Sequence, residues 1–82
     1  MYTFADFTNY DCMEKFHKYI VDKGGGTTMN SYPQKLGGYI GVACNGTSMT
    51  PLGHIENGWV LVRDDMTGNE GWVEAKDLRR IY

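Results

Sequence analysis

The clearest alternation of apolar and polar positions lies near the C-terminus. Residues 58–63 (Gly-Trp-Val-Leu-Val-Arg) and 70–73 (Glu-Gly-Trp-Val) are β-rich runs, and the polar residues 64–69 between them hold one glycine. Two short runs of this kind joined by a glycine-containing turn predict a β-hairpin. Asn57-Gly58 predicts a tight turn at its start.

An amphipathic pattern near the N-terminus predicts a helix over residues 11–23. Asp11 followed by Glu14 fits a capping box, which satisfies free amide groups at a helix start. The residues that recur at helical spacing form one apolar face: Cys12, Phe16, Tyr19 and Ile20. The three glycines at residues 24–26 are expected to end the helix.

The remaining pattern indicates short strands. Residues 39–44 predict a strand that is followed by an Asn45-Gly46 turn. Residues 27–38 predict a loop, and residues 47–53 predict a turn-rich segment. Residues 79–82 predict a last strand. Residues 2–7 fit a short strand or an extended arm. The expected fold class is α+β, with one N-terminal helix packed on a small, strongly bent antiparallel sheet over residues 39–82.

Length and charge narrow the function classes. A chain of 82 residues is the size of a single domain, here 1–82, and a net charge of −2 with a pI near 5.5 argues against binding of a nucleic-acid backbone. No apolar run reaches the length of a membrane span, and the N-terminus has no secretory pattern. Cys12 and Cys44 are therefore expected as free thiols in the cytoplasm, with a disulfide between them in an oxidising compartment as the alternative.

The last third of the chain resembles Src-homology-3-like domains, bacterial versions above all. The resemblance rests on Asn57-Gly58-Trp59, Gly71-Trp72-Val73 and Leu78. It implies that Trp59 begins a strand after a variable loop, and that one turn of tight helix precedes the last strand. Glu74 and Asp77 replace the Pro and Tyr that line the groove for proline-rich peptides in eukaryotic members, so proline-peptide recognition is not expected.

The leading functional hypothesis is a small, non-enzymatic protein-binding module. The candidate binding residues are two aromatics and four acids of the C-terminal region: Trp59, Tyr39, Asp64, Asp65, Glu70 and Glu74. Acidic side chains of this kind suit a partner with a basic surface. By analogy at the level of the fold alone, such stand-alone domains occur among phage and mobile-element proteins, including inhibitors of host proteins.

Cys12 at a predicted helix start gives an enzymatic alternative, because a helix N-terminus lowers the pKa of a thiol. The Tyr10-Asp11-Cys12 segment resembles the nucleophile segment of NlpC/P60-type cell-wall peptidases, which implies a thiol hydrolase or its inactive relative, with His54 as the one candidate base. The histidines and cysteines lack zinc-site spacing, so neither a metal nor another cofactor is expected. A third hypothesis is a structural or assembly subunit in which Tyr and Trp residues pair between copies as a homo-oligomer.

Overall fold

A computed structural model describes residues 18–81, which form seven strands in one antiparallel sheet. The strands are β1 (Tyr19–Val21), β2 (Thr27–Asn30), β3 (Tyr39–Ala43), β4 (Ser48–Glu56), β5 (Trp59–Asp64), β6 (Glu70–Glu74) and β7 (Leu78–Arg80). A single turn of 3₁₀ helix, Ala75–Asp77, precedes β7. Their order in the sheet is β3-β2-β6-β5-β4-β1-β7, so the first described strand lies between a central strand and the last one.

The predicted α+β class is wrong for the described residues, because residues 18–81 contain no α-helix. Residues 11–17 of the predicted helix, like residues 2–7, lie outside the described residues, but Tyr19–Val21 is a strand that pairs with both β4 and β7. Tyr19 and Val21 are buried and Ile20 is half-buried, which is the period-two alternation of a strand. Residues 24–26 form a turn between β1 and β2 and do not end a helix.

The hairpin prediction is confirmed. β5 and β6 pair antiparallel from Trp59↔Glu74 to Arg63↔Glu70, with the Asn57-Gly58 turn before β5. Asn57 and Gly58 have φ values of 57° and 78°, the left-handed geometry that this dipeptide favours. The strand predicted over residues 39–44 is present as Tyr39–Ala43. The last strand, predicted over residues 79–82, is Leu78–Arg80, so the prediction is right only in part; Ile81 lies outside the strand and residue 82 lies outside the described residues.

Two segments predicted as irregular are strands. Thr27–Asn30, inside the predicted loop, forms β2 and pairs with both β3 and β6. Residues 48–53, inside the predicted turn-rich segment, belong to the nine-residue β4. Its pairing with β5 is irregular between Pro51 and Ile55, which allows β4 to bend.

The core lies on the inner face of the curved sheet and draws on most of its strands. The buried cluster comprises Tyr19, Val21, Met29, Ala43, Met49, Val60, Val62, Val73, Ala75 and Leu78. The result is a small, all-antiparallel domain whose curved sheet is compatible with a barrel-like fold. Across residues 18–81, no helix is long and apolar enough to cross a membrane.

Candidate functional site

The predicted binding residues lie at opposite ends of the β5–β6 hairpin. Trp59 and Glu74 face each other at one end, whereas Glu70 pairs with Arg63 at the other, next to the turn that carries Asp64 and Asp65. Glu70 and Glu74 are four residue steps apart along β6, which corresponds to about 13 Å. The predicted site residues therefore belong to two separate surfaces.

A cleft opens at the Trp59 end. A cavity of about 390 Å³ is lined by residues from four parts of the chain: Lys23, Gly26, Thr27, Thr28, Lys35, Trp59, Glu74, Lys76 and Asp77. A second cavity of about 320 Å³ is lined by Lys35, Asn57, Gly58, Trp59, Glu74 and Lys76. The two cavities share Lys35, Trp59, Glu74 and Lys76, so they adjoin, and together they are called the Trp59 cleft below.

Trp59 forms a wall of this cleft and does not project from the surface. Its exposed fraction is 7%, so most of the indole is covered by protein. It nevertheless lines both cavities, so the small exposed part of the residue borders the cleft. Trp59 thus combines a structural role with a position at the binding surface.

The 3₁₀ helix forms one side of the cleft and is held by three hydrogen bonds. The Ala75 amide donates to the Gly58 carbonyl oxygen (2.9 Å), which ties the helix to the tight turn before β5. The Thr27 hydroxyl donates to the carboxylate of Asp77 (2.7 Å), and the Asp22 amide donates to the carbonyl oxygen of Asp77 (2.7 Å). These bonds fix Lys76, in the middle of the helix, relative to β2 and β5.

The β2–β3 loop, residues 31–38, forms the opposite side and is fixed by a buried amide. Asn30, 1% exposed, donates from Nδ2 to the carbonyl oxygens of Gln34 (2.7 Å) and Lys35 (3.4 Å). Backbone bonds from Ser31 to Gly38 and from Tyr32 to Gly37 close the base of the loop. The backbone of Lys35 is therefore anchored although its side chain is exposed.

The β1–β2 turn brings a third lysine to the cleft. The amide of Lys23 donates to Oδ1 of Asn45 (3.0 Å), and its carbonyl oxygen accepts from the Gly26 amide (2.9 Å). Gly26 has φ +88°, and a Cβ there would lie 2.6 Å from the Ala43 carbonyl oxygen. The turn thus requires glycine at residue 26.

Asp64, at the far end of the hairpin, is a turn-forming residue. It is 6% exposed, and its Oδ1 accepts from the amides of Met66 (2.8 Å) and Thr67 (3.2 Å). An aspartate that accepts from amides two and three residues later stabilises a turn. The Asp64 carboxylate therefore stabilises the turn of the β5–β6 hairpin.

Asp65 is held in a network with β4 and the first described residue. Its Oδ2 accepts from Lys18 Nζ (2.8 Å) and the Ser48 hydroxyl (2.8 Å), and its Oδ1 accepts from the Thr50 hydroxyl (2.6 Å). Partial burial alone would raise the pKa of Asp65, but these hydrogen bonds and the Lys18 charge outweigh it and lower the pKa to about 2. Both carboxylate oxygens are thus occupied within the molecule.

The other predicted residues lie away from the Trp59 cleft. Tyr39 opens the edge strand β3 and is 70% exposed, and His54 is exposed in the irregular part of β4. Cys12 lies outside the described residues, whereas Cys44 is an exposed free thiol. Among residues 18–81, no group of three or more His, Cys, Asp or Glu side chains is placed to hold a metal ion.

Sequence reasoning did not identify Lys23, Lys35 and Lys76, nor the Thr27–Asp77 pair, as parts of one site. Lys76 lies beside the predicted tight helix, but no local signal links it to the other two. In comparisons with known proteins, the chain matches no family model, no curated protein and no solved structure.

Proposed function

We propose that this chain is a non-enzymatic protein-binding module with a Src-homology-3-like barrel, and that the Trp59 cleft is its ligand site. The observation that carries the proposal is the cleft itself. The β2–β3 loop, the Asn57-Gly58 turn and the 3₁₀ helix all contribute to its lining beside one aromatic wall. A concave surface between anchored loops suits ligand binding, and its lining of one aromatic among mostly polar and charged residues suits a polar ligand.

Three positions support the Src-homology-3-like assignment. Trp59 is the first residue of β5, the Gly71-Trp72-Val73 triplet lies in β6, and one turn of 3₁₀ helix precedes the last strand. The resemblance implies each of these placements. Glu74 and Asp77 line the cleft where the resemblance would put groove residues, so the ligand differs from a proline-rich helix.

We also propose a reducing compartment such as the cytoplasm, in which Cys44, exposed in the structure, would remain a free thiol. A regulatory or inhibitory protein that binds a host protein fits a domain of this size. That role rests on analogy with phage and mobile-element proteins.

The test uses variants that block one surface each. Thr28 is exposed and lines the cleft, so Thr28→Trp places a large side chain in it; Met66, 83% exposed on the β5–β6 turn, gives Met66→Trp as the matched control. Tagged proteins are isolated gently from a lysate of the native host, and complexes are identified by native mass spectrometry. A partner retained by wild type and Met66→Trp but lost by Thr28→Trp is the expected result.

Retention of the partner by Thr28→Trp and its loss by Met66→Trp would instead assign binding to the acidic turn. In that case the Trp59 cleft is not the ligand site. Circular dichroism of both variants checks that the added tryptophan has not unfolded the domain.

A second candidate function, an assembly subunit that pairs with its own copies, is supported by the edge strand β3. Large apolar side chains are exposed along this strand and the loop before it: Tyr32, Leu36, Tyr39, Ile40 and Val42. Strand β3 carries no charge and, within residues 18–81, pairs only with β2, and exposed apolar edges of this kind favour pairing between chains. Sedimentation of wild type and Val42→Lys tests it: a dimer that Val42→Lys dissociates supports assembly, and a monomeric wild type excludes it.

A further inference from the structure

Three lysines from three separate elements converge on the Trp59 cleft. Lys23 comes from the β1–β2 turn, Lys35 from the β2–β3 loop and Lys76 from the 3₁₀ helix. They are three of the four lysines among residues 18–81. The fourth, Lys18, is already bound to Asp65 at 2.8 Å. Three of the seven lysines and arginines among residues 18–81 thus lie at one depression of a chain with net charge −2.

The lining carries three lysines and the two carboxylates of Glu74 and Asp77, so the formal net charge of the cleft is +1. The Glu74 carboxylate lies 3.2 Å from Lys76 Nζ, so these two charges offset each other. The Asp77 carboxylate also lines the cleft, but it is 7% exposed and accepts a hydrogen bond from the Thr27 hydroxyl, so protein covers most of it. Within the described residues, Lys23 and Lys35 form no ion pair. They remain available to a ligand.

The two adjoining cavities of the cleft can accommodate a ligand that occupies both. The two cavities share four lining residues, and each reaches the lower range of ligand-sized pockets. Lys35 lines both cavities, whereas Lys23 lines only the first and the Asn57-Gly58 turn lines only the second. A chain lying along the depression would meet both exposed lysines and the Trp59 wall.

We infer that the Trp59 cleft binds an extended acidic peptide segment of a partner protein. Its carboxylates would pair with Lys23 and Lys35, and an apolar side chain would lie against Trp59. This inference rests on the proposed function and specifies the partner chemistry of the same site. It reverses the basic partner expected from the acidic residues, since Asp64 and Asp65 are engaged within the hairpin turn.

The anchoring of the lysine backbones favours a built site over a mobile charged surface. Asn30 holds the carbonyl oxygens of Gln34 and Lys35, and Asn45 holds the amide of Lys23. A ligand therefore meets lysine side chains whose backbones are already placed, which reduces the entropy lost on binding.

The experiment is a nuclear magnetic resonance titration of ¹⁵N-labelled protein. The probe is a short, capped peptide of alternating glutamate and leucine, compared with the corresponding lysine–leucine peptide. We expect the acidic peptide to shift the amides of Gly26 and Gly58 and the Trp59 indole N–H. Binding should weaken as salt rises from about 0.05 M to about 0.5 M, since the charges at the cleft are accessible to solvent.

Charge-reversal variants identify which lysines contribute to binding of the acidic peptide. Lys23→Glu and Lys35→Glu should each raise Kd by ~10-fold, since losing an attraction and gaining a repulsion at one position amounts to about 1.4 kcal/mol. Arg63→Glu is the matched control: it makes the same change in net charge on an exposed residue at the far end of β5, and Kd should stay within ~2-fold of wild type. An Arg63→Glu effect as large as that of Lys35→Glu would overturn the inference.

Other outcomes are equally decisive. Preferential binding of the lysine–leucine peptide, or tighter binding of a phosphorylated peptide or an oligonucleotide at the same residues, overturns the acidic-peptide ligand. If the acidic peptide does not bind while Thr28→Trp still abolishes partner capture, the proposed function stands and this inference fails. If the acidic peptide does not bind and Thr28→Trp does not abolish partner capture, the proposed function and this inference both fail.

Discussion

The hydroxyl of Thr27 donates a buried 2.7 Å hydrogen bond to the carboxylate of Asp77, fifty residues later in the chain. Thr27 is 2% exposed and Asp77 is 7% exposed, so water cannot readily replace this bond. The pair joins the first residue of β2 to the 3₁₀ helix and forms the back of the Trp59 cleft. A polar contact thus sets the distance between two sides of the candidate site.

Thr27→Val should destabilise the protein by about 1–3 kcal/mol, because it leaves a nearly buried carboxylate without its donor. Urea unfolding followed by tryptophan fluorescence measures the change. Thr28→Val, on the exposed neighbouring residue, serves as the control and should change stability by less than about 0.5 kcal/mol. Equal losses for the two valine variants would contradict the role of the hydrogen bond.

Gly26→Ala should be strongly destabilising, whereas Gly24→Ala in the same turn should be nearly neutral. Residue 26 has φ +88°, and an added Cβ would meet the Ala43 carbonyl oxygen at 2.6 Å; residue 24 has nothing within 4 Å. The left-handed conformation alone costs a non-glycine residue roughly 1–3 kcal/mol. Thermal melts of the two variants give the comparison, and a Gly26→Ala protein as stable as wild type would show that the turn has another conformation.

The Asp65 network should make stability depend on acid pH. The pKa of Asp65 falls from its ordinary 3.8 to about 2 in the folded protein, so the unfolded chain binds a proton more readily in this interval. The stabilisation is fully present above pH ~4 and disappears as the pH falls through ~2. Because both side chains of the ion pair are partly exposed, we expect only about 1 kcal/mol.

Asp65→Asn isolates this contribution. The difference in unfolding free energy between wild type and Asp65→Asn should be constant from pH ~7 to ~5 and should shrink towards pH ~2. Urea titrations at a series of pH values measure it. A difference that is independent of pH would show that the carboxylate titrates normally.

Trp59→Ala should lower stability by about 3 kcal/mol or more, since the indole is 93% covered and its loss leaves a cavity. Tyr39→Ala provides the contrast: Tyr39 is 70% exposed, and its truncation should change stability by less than about 0.5 kcal/mol. Chemical unfolding of the two variants gives both values. Binding assays on the cleft should therefore use Thr28 and lysine variants, whose side chains are exposed.

Where local chemistry determines structure, the sequence was sufficient for prediction. Asn57-Gly58 and Asn45-Gly46 adopt the turns expected of them, and the alternation in β5 and β6 gives their pairing. β1 was mistaken for part of a helix because Tyr19 and Ile20 continue a helical spacing from Phe16. This three-residue strand is stabilised by its pairing with β4 and β7. Because both neighbours are distant in the sequence, no local pattern predicts that pairing.

The residues of the candidate site also divide into those that a local sequence pattern identifies and those that only long-range contacts bring together. Trp59 and Glu74 were identified because they lie in a recognisable hairpin, and the structure places both in the cleft. Lys23 and Lys35 were missed because long-range contacts bring their turns to Trp59. The acidic residues were visible in the sequence, but their hydrogen bonds within the molecule were not.

The position of β1 has a consequence for how the chain folds. Tyr19–Val21 is flanked by β4 on one side and by β7 on the other, so its second neighbour is among the last described residues to be synthesised. A nascent chain lacking Leu78–Arg80 has one edge of β1 unpaired, and closing this pairing spans nearly the whole described chain. Such non-local pairing slows folding, because the entropy of loop closure is lost before the contact forms. β7 therefore completes the pairing of β1, and this part of the sheet can form only after Leu78–Arg80 has been synthesised.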